Sequence, residues 1–330
     1  MTIGIDLPLD AMHDSDVAAD YLELLAAFSS DGQSSPADIV NAADIEAESE
    51  YHDVDEEMRG HESIADAALR RIATRLDVLE EAYPFELDFT AGILSLDVNK
   101  LDLPGTAYVL SLLLANLRSV SPLLQDFERY PSPDEVDAWR RWFQYYATAA
   151  VAGEIGGSAW SFGFPRPDGS GFIAKLEEIW RTLKDGRVSA DASAPSSPKD
   201  GEIDVLAWKE TRDGLPGFLL VAAQVATGAD WKSKSIKRDV NSVFKNRWFA
   251  KRQPVTEMIA YHVIPFALAD EGVRDDVLVV GNLLHRLRVP RRVADASTLV
   301  SDERISVEAF EELNETTIWM RTYIAEARAA

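Results

Sequence analysis

The sequence predicts an α/β protein, with a mainly α-helical N-terminal region ahead of a core built on a mixed central sheet flanked by helices. Three observations carry this expectation. Apolar residues recur at helical spacing through much of residues 61–155. Two short apolar runs, 202–208 and 217–224, flank a turn-rich stretch containing Asp213-Gly214, which is the pattern of a β-hairpin. Charge is also divided along the chain, acidic at the front and basic just after that hairpin.

The elements follow in order. Residues 16–28 form a helix carrying Tyr21, Leu22, Leu24, Leu25 and Phe28. Residues 29–60, rich in Ser, Asp and Glu, read as a loosely held loop. From 61 to 82 the spacing of Ile64, Ala67, Leu69, Ile72, Leu76 and Leu79 predicts an amphipathic helix. Residues 84–100 alternate like a short strand pair, and Pro104 opens a helix running to about residue 119. Ser132-Pro133-Asp134-Glu135 is a strong helix start: a capping Ser, Pro at the first position and acids in the first turn. That helix carries Trp139, Trp142, Phe143 and Tyr146, and Gly156-Gly157 ends it. A Pro- and Gly-rich loop over 162–171 leads to a helix over 172–184, then to a small-residue loop over 190–198. Beyond the hairpin, the basic segment reads as helical to Trp248, 258–266 and 277–280 as β-like, and Ser306 with Glu308 as the start of a last helix. The expected divisions are 1–60, 61–135, 136–300 and 301–330.

The 330 residues and eight Trp supply material for a sizeable core, and two domains fit that length. With no Cys, disulfides, thiolate metal sites and a Cys nucleophile are excluded. Residues 1–8 hold no basic, apolar leader, and the longest apolar run, 107–115, is too short to span a bilayer. A cytoplasmic protein with no membrane partner is therefore expected. The net charge of -23 opposes general nucleic-acid affinity, so its distribution matters. Residues 1–60 hold sixteen acids and one Arg. Such a run serves as a solvated tail, as a mask for a basic patch or as a docking arm. Over 232–252 the balance reverses, with eight basic residues against the single acid Asp239. Lys237, Arg238, Lys245, Arg247, Lys251 and Arg252 are the candidate nucleic-acid contacts there. No Gly-rich phosphate loop with Lys-Ser/Thr, no G-x-S-x-G and no H-E-x-x-H is found.

Metal-assisted phosphodiester hydrolysis needs carboxylates to hold Mg²⁺, a Lys or bound water to supply and steer the nucleophile, and cations for the phosphate. A hairpin in a sheet holds such parts well. Asp204 lies in the first strand of the hairpin and Gln224 at the end of the second. Lys232 and Lys234 follow after one tight loop, and Glu154 lies near the end of the preceding helix. Asp204 is costly to bury among Ile203, Val205 and Leu206 without a partner or metal, while simple alternation leaves it facing solvent. Asp200 serves equally as a turn residue. Lys232 and Lys234 serve equally as a solvated face or a phosphate clamp. Trp231 reads as packing, His262 as a core or edge residue, and Gly228 as a loop glycine.

Residues 199–208 (KDGEIDVLAW) with 224–234 (QVATGADWKSK) resemble a branch of the PD-(D/E)xK nuclease superfamily. That branch has a "D-G-x-D-V-x-A-W … Q-C-x-T-G-x-x-W-x-x-K" pattern and occurs in prokaryotic anti-phage and restriction systems. Gly153-Glu154, the loop 162–166 (FGFPR) and 281–288 (GNLLHRLR) resemble its flanking pieces, so the likeness covers roughly 150–293. In place of the usual E-x-K stands Gln224-x-Ala226, and His285 stands where Asp is common. The resemblance implies a restriction-endonuclease-like core over 136–300. It implies a Mg²⁺- or Mn²⁺-dependent endonuclease acting on DNA in antiviral defence. Asp204, Glu154 and Gln224 would be its metal ligands, and Lys234 or Lys232 would take the part of the missing lysine. It also implies a helicase or ATPase partner, and self-association is compatible with it. The alternative is a catalytically silent subunit that binds DNA or a partner protein.

Overall fold

The computed structural model describes residues 4–47, 54–192, 194–195, 198–199, 201–251, 253–268 and 272–329, without the side chains of 9, 43–47 and 54–61. Asp200 and Arg252 lie outside the described residues. The protein is mixed α/β. In chain order its elements are α1 (Leu9–Met12), α2 (Ser15–Phe28), β1 (Gln33–Ser34), α3 (Pro36–Ala47), α4 (Val54–Leu79), β2 (Glu86–Asp88), β3 (Ile93–Ser95), α5 (Leu103–Ala115), α6 (Pro133–Ile155), β4 (Ser158–Ser161), α7 (Phe172–Leu183), β5 (Val205–Lys209), β6 (Leu219–Val225), α8 (Lys245–Trp248), β7 (Met258–Val263), α9 (Val273–Val280), β8 (Asn282–Leu284), α10 (Val289–Ser301) and α11 (Glu312–Ala329). None of the described helices is long and apolar enough to cross a membrane. The chain divides into two compact units: Met1–Trp139 with Pro265–Ala267 and Asn314–Ala330, and Arg140–Ile264 with Leu268–Leu313.

In the first unit α2 and α5 are buried along nearly their whole length. Asp14 caps α2 by accepting from the N–H groups of Asp16 and Val17. The polar residues of α2 face inward, because Arg75 of α4, with no exposed side-chain surface, collects Asp16, Asp20 and Glu23 at 3.0, 2.7 and 2.9 Å. Glu23 also accepts from the hydroxyls of Tyr83 and Tyr108, each at 2.7 Å. A small antiparallel sheet, β1-β3-β2, contains the expected strand pair and adds β1. The expected loop over 29–60 is corrected, since it contains β1 and α3 and α4 already begins at Val54. Helix α3 starts with Pro36 behind Ser35, whose N–H and hydroxyl both donate to the Asp38 carboxylate. This local cap offsets the high polarity of the segment.

The second unit is built on a five-stranded sheet of order β4-β5-β6-β7-β8. The first three strands run antiparallel, and β7 and β8 join in parallel through crossovers. Strand alternation divides the side chains between two faces. Leu206, Trp208, Leu220, Ala222, Met258 and Ala260 lie on one face and pack with α7 and with the turns over 236–249. Helix α7 buries Phe172, Leu176, Ile179, Trp180 and Leu183, the spacing read from the sequence. Tyr261 points to the other face, where its hydroxyl meets Glu154 of α6. Helix α6 opens with the expected cap, as the Ser132 N–H and hydroxyl both donate to Glu135 at 2.8 Å.

Three further expectations over this region are corrected. The basic segment is not one helix but a 3-10 turn (Trp231–Lys234), a π-helical turn (Val240–Phe244) and α8. Residues 277–280 belong to helix α9 rather than to a strand. Gly272 and Gly281, both at positive φ, bracket that helix, and Lys237 donates to the carbonyl oxygens of Val277 and Leu278 near its end. Leu278 and Val279 are 73% and 54% exposed, so their apolarity marks no core strand. The last helix begins at Glu312, not near Ser306. Residues 306–308 instead lie along β4, with the Ala159 N–H donating to the Ser306 carbonyl and the Glu308 N–H to the Ala159 carbonyl.

Candidate functional site

Pairing of Val205 with Ala223 sets Asp204 opposite Gln224, on one face at the end of the β5–β6 hairpin. The backbone of Asp204 is held on both sides. Its N–H donates to the Ala223 carbonyl at 2.9 Å, and its carbonyl accepts from Phe162 and Gly163 at 2.7 and 2.9 Å. The residue is 9% exposed. Oδ2 accepts from Gln224 Nε2 at 2.7 Å and from the Val225 N–H at 2.8 Å. Two N–H donors on one oxygen offset much of the cost of burying the charge.

The other carboxylate oxygen, Oδ1, faces residues outside the set expected from the sequence. A Cβ on Gly163 would lie 2.5 Å from Asp204 Oδ1 and 2.6 Å from Gln144 Oε1, so both side chains pack close against the backbone of this glycine and leave no room for a larger residue. Gln144, on α6, is oriented by donation from Nε2 to the hydroxyl of fully buried Ser161 at 2.7 Å. The Ser161 N–H donates to Glu308, which pairs with buried Lys175 at 2.7 Å, and Lys175 also pairs with Asp168 at 2.8 Å. A polar chain thus leads from Asp168 to Gln144. Burial works against the Lys175 cation, but the Asp168 and Glu308 hydrogen bonds outweigh it and its pKa is raised. Burial pushes Glu308 up despite Lys175. Burial also acts on Asp168, yet hydrogen bonds from Lys175 and Ser170 bring it down to about 2. The two carboxylates differ because Glu308 is the more enclosed, at 18% side-chain exposure against 37%. One signal was available in the sequence: Lys175 interrupts the apolar stripe of α7 between Phe172 and Ile179.

His262 pairs in register with Gln224 and is fully buried. Burial lowers its pKa to about 4, against the Trp231 backbone and with help from the Lys234 cation, so it is neutral near pH 7. Burial, then Arg288 and Arg286, lowers His285 to about 3.

The expected site residues divide. Asp204 and Gln224 come together as a pair. Glu154 does not join them. It pairs with Arg292 at 2.7 Å and meets Tyr261, whose side chain points away from the face that carries His262 and Gln224. Lys232 is held by Asp276 at 2.7 Å, and Lys234 lies 3.4 Å from Asp230 while remaining close enough to act on His262. Of the expected nucleic-acid contacts, Arg238 and Lys251 are exposed and Arg247 is half-buried. Lys237 is occupied at α9, and Lys245 donates to the Thr256 carbonyl at 2.7 Å. A cleft of about 310 Å³ runs beside Ile203, the neighbour of Asp204, with Lys199 and Arg247 among its lining residues.

Among the described residues no group of three or more His, Asp or Glu side chains is placed to hold a metal ion. The donor set fits a hard cation in its sparser form: one carboxylate, with water and substrate phosphate completing the shell. It does not fit a cage of several carboxylates. No family model, curated protein or solved structure matches the chain.

Proposed function

We propose that the chain is a metal-dependent endonuclease of the restriction-endonuclease-like kind, acting on DNA. The observation that carries this reading is the buried Asp204, set across the hairpin from Gln224 and next to a cleft lined by Lys199 and Arg247. The mixed sheet flanked by helices agrees with the fold the motif resemblance implies. In this reading Gln224 and the Val225 N–H fix Asp204 through Oδ2 and direct Oδ1 at the ligand. A bound Mg²⁺ or Mn²⁺ would supply Lewis-acid polarisation of a phosphate oxygen. Arg238, Arg247 and Lys251 hold the backbone phosphates, which positions DNA without selecting bases. Glu154 is left out of the ligand set because it lies with Arg292 and Tyr261. A role in anti-phage defence beside a helicase or ATPase rests on the motif resemblance alone.

A second reading, a silent nuclease-like subunit that binds DNA, is favoured by one observation. Buried Ala226, 2% exposed, stands where the superfamily's lysine is usual, and both lysines nearby face acids. Cleavage of supercoiled plasmid in Mg²⁺ or Mn²⁺, alongside a mobility-shift measurement, separates the two. Metal-dependent nicking that vanishes in Asp204→Ala supports the nuclease. Shifted DNA with no nicking by either form supports the silent subunit, and nicking unchanged in Asp204→Ala refutes the assignment of the site.

A further inference from the structure

Resting on the nuclease reading, we infer that Phe164 is a stacking platform for an unpaired base of the DNA strand that enters at Asp204. Its side chain is 57% exposed, and among the described residues its ring meets no other ring and no cation. The N–H of Gly163, the residue before it, donates to the Asp204 carbonyl at 2.9 Å, so the chain reaches Phe164 one residue after touching the hairpin end. A single exposed apolar side chain on a loose loop is ordinary. This loop is tied down on both sides of Phe164. Phe162 has no exposed surface and packs on Phe172 with ring centroids 5.2 Å apart. Arg166 lies 5.1 and 5.7 Å from the centroids of those two rings and donates to the carbonyl oxygens of Ser170 and Lys199.

The bond from Arg166 to Lys199 also sets the loop beside the cleft of about 310 Å³, because Lys199 is one of its lining residues. Arg247 lines that cleft too, and so do Glu202 and Asp239, so two cations are opposed there by two acids. Attraction for phosphate is therefore modest, and a ring contact has to add to it. Base stacking suits this need, since every base offers a flat apolar face. In a duplex those faces are covered by neighbouring bases, and exposing one costs free energy that an unpaired strand does not incur. A ring carried on a fixed loop also loses little freedom on binding. The substrate class that follows is DNA with an unpaired segment, such as a single strand, a frayed end or a bubble.

The test is fluorescence anisotropy of a labelled single-stranded oligonucleotide, and of the duplex made from it, titrated with the full chain with and without Mg²⁺. Urea unfolding of each variant is the control for folding. The unsubstituted chain should hold the single strand more tightly than the duplex. Phe164→Ala should weaken single-strand binding about 5–150-fold, the range of one base–aromatic stack, and leave duplex binding unchanged. Phe164→Tyr should keep single-strand binding and Phe164→Leu should lose it, because Leu keeps the apolarity without the flat ring. The Tyr and Leu pair answers the question even if the Ala variant fails to fold. No preference for the single strand, binding as tight in Phe164→Leu as in Phe164→Tyr, or an equal loss for both DNA forms would overturn the stacking role and leave the nuclease reading, which rests on Asp204, standing. Single-strand binding that depends on Phe164 with no cleavage by any form would keep the stacking role and place it on a silent subunit. No binding of either DNA would overturn both the stacking role and the nuclease reading.

Discussion

Replacing Arg75 with Met removes the cation that bridges Asp20 and Glu23. The guanidinium has no exposed side-chain surface and meets three carboxylates at 2.7–3.0 Å. Arg71 still reaches Asp16 at 3.2 Å, so the loss falls on the two deeper acids. Breaking a buried ion pair by deleting one partner costs about 3–5 kcal/mol, because the remaining charge is left in a poor solvent. That is a large share of the roughly 5–15 kcal/mol that holds a domain together. For a unit of this size it corresponds to a fall in Tm of about 6–20 °C. Urea unfolding followed by amide exchange of α2 reads the first unit, while exchange in β5 and β6 reads the second. Protection should fall in α2 and persist in the hairpin. Adding Glu23→Gln should cost less in the Arg75→Met background than in the unsubstituted chain, since Gln still accepts from Tyr83 and Tyr108 and no longer strands a charge. An Arg75→Met loss below about 1 kcal/mol, the range of a surface pair, would refute the reasoning.

Acid should destabilise the second unit early. His262 and His285 hold pKa values of about 4 and about 3 when folded, against about 6.5 unfolded. The unfolded chain therefore binds more protons as pH falls below about 6.5, and stability drops by up to about 1.4 kcal/mol per pH unit for each histidine until its folded pKa is reached. Urea midpoints measured from pH 7 to 4 should show that slope halved in His262→Gln, and a flat profile would contradict the burial argument. Gly153→Ala should destabilise by at least about 1–3 kcal/mol, since its Cβ would lie 2.0 Å from the Arg292 carbonyl oxygen; an unchanged thermal midpoint would refute the close approach of α6 and α10. Gln224→Glu should lower stability without metal, because it sets a second carboxylate against Asp204. Mn²⁺ should restore that loss if the pair belongs to a cation site, and restoration by Mn²⁺ failing in thermal melts would argue for the silent subunit.

Much of the fold was legible where the signal was local. The Ser132–Glu135 cap, the apolar stripe of α7 and the hairpin around Asp213-Gly214 each depend on neighbours in sequence. The same capping logic at Ser35 and Asp38 was readable too, but it was masked by the acidic composition around it. The run 277–280 misled because apolar residues on an exposed helix carry no period-two constraint. At the site, Asp204 and Gln224 were readable because antiparallel register is fixed by the turn. Glu154 was not correctly placed, since the face that a helix residue meets depends on how that helix lies on the sheet. Gln144, Ser161 and Glu308 were not found because their contacts join residues 17 and 147 positions apart.

Asp204 could have been a carboxylate that stays buried only when a metal accompanies it. The structure gives a different balance. Two N–H donors reach Oδ2, and two more hold the backbone carbonyl of the same residue. Such bonds to an ionised group are stronger than those between neutral groups. The aspartate is therefore stabilised by its own chain, and the hairpin end keeps its shape before anything binds. A ligand that then contacts Oδ1 has little reorganisation to impose, which favours tight geometry over adaptability. The same arrangement serves a silent subunit equally well, since a satisfied carboxylate can persist with no catalytic use. What separates the two is therefore whether a divalent cation binds at the Asp204 end of the hairpin, which the Mn²⁺ melts of Gln224→Glu read.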